Sequence, residues 1–274
     1  ADVYGDGRSE KFIGEILKNT KEKIYVATKA GRRLDPHVSE GYNLNNIEAF
    51  IDRSLLNLGI DTIDLLQLHC PPSDICGKSE TYEMMDEIVK KGKIKYYGVS
   101  VEKVSEALDA IKFSNVKSIQ IIFNIFRQKP NEIFFKEAKK NNVAIIVRVP
   151  LASGLLTGKM NLNSSFPKND HRNYNINGDS FDVGETFSGI NFHKGIEAVK
   201  ELKTLLPQDF SLTDLALKWI LSHDEVTVVI PGAKNKLQAQ LNTRASEMNN
   251  INTIMNSISD IYQSYFKDDV HSRW

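Results

Sequence analysis

Cysteine is nearly absent from this sequence: Cys70 and Cys76 are the only two in 274 residues. Two thiols cannot build a disulfide framework, and a C-x5-C spacing with no second pair is no structural zinc site. A reducing cytoplasm is the compartment that this usage fits. Excess charge of one sign is also missing, since 35 Lys and Arg balance 35 Asp and Glu. That balance excludes the basic surface that nucleic acid or an anionic membrane requires. No apolar run approaches the roughly 18 residues of a membrane span. No strand candidate runs into G-x-G-x-x-G, so the Rossmann phosphate loop is excluded. The histidines outside position 69, at His37, His171, His193, His223 and His271, show no ligand clustering, and no metal site is expected.

What is present is a chain with 41% hydrophobic residues, enough for a large core, in an alternating pattern. A helix-like "SEKFIGEILKNT", with Phe12, Ile13, Ile16 and Leu17 at helical spacing, precedes a β-branched run at Ile24, Tyr25 and Val26. The amphipathic "NLNNIEAFIDRSLLNLG" then precedes "IDLLQLHC", and further helix-like segments alternate with "IKYYGVS", "SIQIIF", "VAIIVRVP" and "VTVVIPG". Six short strands, apolar on both faces and separated by helices, must be parallel, because only helix-covered parallel sheets bury both faces. An open doubly wound sheet and a closed (β/α)8 TIM barrel both satisfy this. Lys29, His69, Ser100, Arg148 and the Pro231-Gly232 turn all fall at the C-terminal ends of different strands, where a barrel gathers its active site. The expectation is therefore an α/β chain, a single barrel domain over 1–274 carrying about six strands of eight plus a C-terminal helix.

The stretch 160–189 is rich in Asn, Ser, Asp and Gly and is longer than ordinary connections, which makes it a lid or a tolerated insertion. An amphipathic helix is expected over about 251–265, and Trp274 after it reads as a packing or subunit contact.

Tyr4, Lys29 and His69 stand out chemically. A phenol titrates near 10, so donating its proton at neutral pH needs tuning neighbours. An adjacent ammonium lowers that value, and a neutral imidazole orients a carbonyl oxygen or relays a proton. Such a group suits protonation of an oxyanion that develops on a carbonyl. By spacing alone the three residues form no motif.

The words around them carry more. "ADVYGDGRSE", "VATKAG", "DLLQLHCP", "GKIKYYGVS", "PLASGLLTGK" and "VVIPGAK" resemble the aldo-keto reductases, in this order and over essentially the whole chain. The loop "FPKNDHRN" is similar to that of bacterial members. The resemblance implies a (β/α)8 barrel that binds NADPH in extended form and reduces aldehydes or ketones without a metal. It implies Tyr4 as proton donor, Lys29 as the ammonium that tunes it and His69 as the imidazole beside the carbonyl. It also places a fourth group, an Asp, five residues before Tyr4, ahead of Ala1. Asp2 sits too close to Tyr4 to be that group. Two strands and the Asp are therefore expected upstream, and a chain starting at Ala1 is expected to turn over little.

For the cofactor, the resemblance implies Ser100 and Gln120 on the carboxamide, although Val101 stands where many members have Asn. Arg148 replaces the aromatic ring that many relatives hold against the nicotinamide; a planar guanidinium can stack there, and a salt bridge in the barrel mouth is the alternative. Leu151, Gly154, Leu156 and Lys159 lie in the matched cofactor loop, with Leu155 and Thr157 between them. The segment "IPGAKNKLQAQLN" opens a helix whose N-terminus suits phosphate. The resemblance implies Gly232, Ala233, Lys234 and Asn235 as pyrophosphate and adenosine-phosphate contacts there, with Gln238 and Asn242 following on the same helix face; Lys234 favours NADPH, whereas Gln238 stands where NADPH-preferring members often have Arg. The expected partner is a small carbonyl substrate, with specificity in the loops at 31–42 and 160–189 and in the C-terminal tail. A nicotinamide-binding regulatory or scaffold protein, and a Schiff-base aldolase using Lys29, are the rival readings. Neither the substrate nor the oligomeric state is written in the residues.

Overall fold

Six parallel strands account for the alternating apolar runs: β1 (Ala27–Ala30), β2 (Ile63–His69), β3 (Ile94–Ser100), β4 (Val116–Ile122), β5 (Ala144–Arg148) and β6 (Val226–Val229). They alternate with α1 (Arg8–Asn19), α2 (Leu44–Leu58), α3 (Ser79–Lys90), α4 (Val104–Ala110), α5 (Phe134–Lys140), α6 (His171–Tyr174), α7 (Phe192–Thr204) and α8 (Leu212–Leu221); α9 (Lys236–Arg244), α10 (Met255–Tyr265) and α11 (Lys267–Val270) follow β6. This computed structural model describes residues 1–274.

The strand order is β1-β2-β3-β4-β5-β6, so every neighbour in the sheet is a neighbour in sequence. A doubly wound sheet reverses its order at a switch point. The uninterrupted order therefore selects single winding, the arrangement of a (β/α)8 barrel. No helix is long and apolar enough to cross a membrane.

Local chemistry explains the element boundaries. Asn43 caps α2 by accepting the Asn46 N–H, and Gly59 ends it in the left-handed region at φ 65°. Within α2, Ile47, Ile51, Ser54 and Leu58 recur at helical spacing and are buried. Ser211 and Asp214 form a reciprocal capping box at the start of α8.

The first strand departs from the expectation. It begins at Ala27, while Ile24 and Tyr25 are exposed. The Val26 N–H goes to the Asp64 carboxylate at 3.0 Å rather than to a strand carbonyl, so the ladder starts one residue later. The last strand also differs, because Val228 and Ile230 are exposed rather than buried. Both strands stand at the ends of the strand order and have one neighbour each.

Internal contacts divide the chain into two units, Ala1–Gln120 with Glu137–Ala144, and Ile121–Lys136 with Ile145–Trp274. In the first, Tyr82 stacks on Phe113 at 4.1 Å and on Tyr97 at 6.3 Å, among the buried Ile47, Ile51, Met85 and Ile88. In the second, Phe123 stacks on Trp219 at 4.8 Å and meets Phe135 edge-on at 4.7 Å.

The 160–189 stretch lies in the second unit and is built rather than featureless. It contains α6 and two single 3-10 turns, Val183–Glu185 and Phe187–Gly189. Phe187 is buried, with Phe166 at 5.7 Å and Phe192 at 5.1 Å. Arg172 holds Asp170 through two hydrogen bonds from its side chain and lies over the Phe166 ring. That guanidinium holds the Asp170 carboxyl down to about 2.

Candidate active site

Strand register assembles the polar side chains of the first unit. Lys29 pairs with Gln67 across β1 and β2, His69 with Ser100 across β2 and β3, and Ser100 with Gln120 across β3 and β4. Side chains alternate faces along a strand, so Gln67 and His69 share a face, and lateral pairing carries it to Lys29, Ser100 and Gln120. One row of functional groups thus runs across four strands. All are buried: Lys29 and His69 are 9% and 5% exposed, Ser100 and Gln120 still less.

Within the row the Gln120 amide donates to the Ser100 hydroxyl at 3.3 Å, and the Cys70 sulfur lies 3.6 Å from the same oxygen. The Gln67 amide nitrogen is buried without an acceptor. Gln67 was not singled out in the sequence; its place two residues before His69 on a strand was the available signal.

Tyr4 comes from the turn that precedes α1. Its hydroxyl stands 3.4 Å from His69 Nε2, at the long end of hydrogen bonding. Its ring meets the imidazole edge-on, and the Lys29 ammonium lies 5.5 Å from the ring centroid. The three residues that the sequence left scattered are thus brought together. Tyr4 is the exposed member, at 46%.

The turn has charged anchors that sequence reading missed. Arg33 donates to Asp6 at 2.9 Å and to the Asp2 carbonyl at 3.4 Å, and Arg53 pairs with the same Asp6 carboxylate. These bonds hold the Asp6 carboxyl below its ordinary value. Asp2 is fully buried, with Arg33 at 3.7 Å. Burial, followed by the nearby Glu10 carboxylate, pushes the Asp2 carboxyl up to about 6. Glu10 accepts from Thr28 at 2.6 Å and from Asn57 at 2.9 Å, tying α1 to β1 and α2.

The second unit holds the remaining expected residues. Arg148 ends β5, and its side chain, 10% exposed, pairs with Glu185 at 3.5 Å. The salt bridge anticipated as the alternative for Arg148 is therefore present. After Arg148 the chain turns sharply through left-handed residues at Val149, Ala152, Ser153 and Gly154, with φ between 45° and 99°. Only Gly154 is a residue type at ease there, and such strain gathers at functional loops. Leu155 and Leu156 are wholly buried, so Leu156 presents only backbone, while Leu151 and Gly154 are partly exposed and Lys159 is exposed.

Gly232, Ala233 and Lys234 form the exposed approach to α9. Asn235 caps the helix by accepting the Gln238 N–H at 2.9 Å. Gln238 and Asn242 turn back onto this approach: the Gln238 side chain accepts the Lys234 N–H at 2.8 Å, and the Asn242 amide donates to the Gly232 carbonyl at 3.1 Å. They shape the loop that precedes the helix N-terminus.

The Aldo/keto reductase family model matches residues 1–262. YqkF of Bacillus subtilis (strain 168), described as an uncharacterized oxidoreductase, is 30% identical over 99% of this chain and 83% of its own length. The aldo-keto reductase yakc of Schizosaccharomyces pombe, whose name carries NADP(+), is 30% identical over 85% of this chain and 68% of its own. The solved holo form of aldo-keto reductase AKR11C1 from Bacillus halodurans matches with a TM-score of 0.74 at 28% identity, covering 98% of this chain and 83% of that one. With the single winding and the row of polar strand ends, these matches give the family: the chain belongs to the aldo/keto reductases, oxidoreductases of the (β/α)8 barrel fold.

Proposed function

We propose that the protein reduces aldehydes or ketones to alcohols with NADPH. The observation that carries this reading is the grouping of the Tyr4 hydroxyl, the His69 imidazole and the Lys29 ammonium. Tyr4 delivers its proton to the carbonyl oxygen as negative charge develops there. The Lys29 ammonium favours the phenolate that Tyr4 becomes. His69 faces the same hydroxyl and orients the oxygen that receives the proton. Bound NADPH supplies the hydride that goes to the carbonyl carbon.

The residues present fit such a cofactor. Ser100 and Gln120 offer a buried hydroxyl and amide side by side, suited to a carboxamide. The α9 N-terminus offers backbone N–H groups and the positive end of a helix dipole to phosphate. Lys234 beside it favours the extra phosphate of NADPH, and the NADP(+) in the name of yakc agrees. By the family resemblance Arg148 would stack on the nicotinamide, and Leu151, Gly154, the Leu156 backbone and Lys159 would hold the pyrophosphate. The buried thiols Cys70 and Cys76, in no disulfide, suit a reducing cytoplasm.

Loss of NADPH absorbance with 4-nitrobenzaldehyde and methylglyoxal, on the complete protein, tests the reading. Turnover that falls by orders of magnitude in Tyr4→Phe is the expected result. Tight NADPH binding without turnover on a broad carbonyl panel overturns it in favour of a regulatory or scaffold role.

A further inference from the structure

We infer that Trp274 is a positioning residue of the cofactor site, acting through residues 182–189 to hold Glu185 against Arg148. The inference rests on the reading of Arg148 and the 151–159 loop as cofactor contacts.

Trp274 is 5% exposed and tied on three sides within the second unit. Its indole N–H donates to both oxygens of Asp182, at 3.1 and 3.2 Å. The Arg127 guanidinium lies 4.0 Å from the ring centroid, a cation–π contact strengthened by burial. Gly184 and Gly189 form the bed of the ring, and a Cβ added at Gly189 would collide with the indole.

From this bed the segment reaches the cofactor side. Asp182 also accepts the Gly184 N–H and so starts the turn Val183–Glu185. The Glu185 carboxylate pairs with Arg148. The Glu185 carbonyl accepts from the Ser153 hydroxyl at 3.1 Å, and the Phe187 N–H donates to that hydroxyl at 3.0 Å. Phe187, Ser188 and Gly189 follow with φ of 52°, 61° and 73°. Three successive left-handed residues, two of them not glycine, persist only where surrounding contacts over-determine them. One such contact is the Asn124 amide, which donates to Ser188 Oγ at 2.7 Å. The indole holds this segment at Asp182, Gly184 and Gly189, and Ser153 and Arg148 hold it at Glu185 and Phe187. Removal of the indole loosens Glu185, and the guanidinium then loses one of its anchors.

The test uses Trp274→Phe and Trp274→Ala in the complete protein, with NADPH dissociation constants and steady-state kinetics. Trp274→Ala is expected to weaken NADPH roughly tenfold, the middle of the range seen when a residue acts through others, with the carbonyl KM nearly unchanged. Trp274→Phe keeps a ring for Arg127 and the glycines but no donor for Asp182, and falls between wild type and Ala. Asp182→Asn keeps an acceptor for the indole and the cap of the turn, and is expected to keep near-normal affinity. A purely structural role predicts lower thermal stability with unchanged NADPH affinity in the folded fraction; that result, in Trp274→Phe above all, overturns the inference. Arg148→Leu separates the two readings. If it weakens NADPH and Trp274→Ala does not, the positioning role alone fails; if Arg148→Leu binds NADPH normally, the cofactor role of Arg148 fails first.

Discussion

The Tyr4 hydroxyl and the His69 Nε2 stand 3.4 Å apart, one carried by a surface turn and the other by the end of a buried strand. His69 is held through its strand's pairing with β3, whereas the phenol depends on the turn between Ala1 and Gly7. Arg33 and Arg53 grip that turn through Asp6, which makes the phenol's position a matter of electrostatics as much as packing.

Tyr4→Phe removes the proposed proton donor and little else, because the side chain is nearly half exposed. The expected outcome is a fall in kcat of about 10² to 10⁴, the range for loss of a positioned general acid. Thermal stability and NADPH affinity should stay near wild type. Undiminished turnover in the variant would remove Tyr4 from the mechanism.

Asp2 makes the stability of this region depend on pH. Its carboxyl rises from 3.8 to about 6 on folding, first through burial and then through Glu10, against the opposing pull of Arg33 and Arg53. The folded state therefore binds the proton more tightly. Below about pH 4 both states are protonated and the group contributes nothing; between there and about pH 6 stability falls as pH rises, and above it the penalty is constant. Urea midpoints of Asp2→Asn relative to wild type should shift in favour of the variant across this window. A difference that stays constant with pH would contradict the assignment.

The strands were legible because buried parallel strands write themselves as continuous apolar runs. Tyr4, Lys29 and His69 were legible through the words around them. The start of β1 was not, since an apolar run carries no sign that the Asp64 carboxylate will take the Val26 N–H. The 160–189 stretch read as polar because Phe166, Phe181 and Phe187 follow no period, although Phe187 is fully buried in an aromatic cluster. Glu185 was invisible for a related reason: its partner Arg148 lies on a strand far back in the chain, and no local pattern announces an ion pair. Trp274 was read as a packing or subunit contact, and it is buried within the second unit, but nothing in its sequence neighbourhood pointed to Asp182.

Gln238→Arg should raise the preference for NADPH over NADH. In wild type the Gln238 side chain accepts the Lys234 N–H, so it covers the approach to α9 instead of adding charge to it. Arginine removes that acceptor, frees the N–H and brings a guanidinium suited to phosphate. The ratio of kcat/KM for the two cofactors is expected to rise about tenfold, the size of one exposed charge-assisted hydrogen bond. The gain should shrink at high salt, since an exposed cation is screened. An unchanged ratio would mean that the 2′-phosphate lies elsewhere.

Asn124 is the buried polar joint of the second unit, and its loss should cost more than that of any single surface ion pair. Its amide donates to the Val149 carbonyl at 2.9 Å and to Ser188 Oγ at 2.7 Å, while its Oδ1 accepts the Phe126 N–H at 2.9 Å. The side chain is wholly buried, as are Phe126 and Ser188, so these two partners stripped of it lose a bond without access to water. Asn124→Leu keeps the volume but leaves the Ser188 hydroxyl and the Phe126 N–H without this partner, while the Val149 carbonyl keeps its bond from the Ala152 N–H at 3.2 Å. The variant should destabilise the fold by about 2–4 kcal/mol. Ser188→Ala breaks only one of these bonds and should cost about 1 kcal/mol. Urea unfolding of the two variants measures both values. Equal costs would show that the joint acts only through Ser188, whereas the larger loss in Asn124→Leu would show that the turn after β5 and the segment around Ser188 hang from one amide.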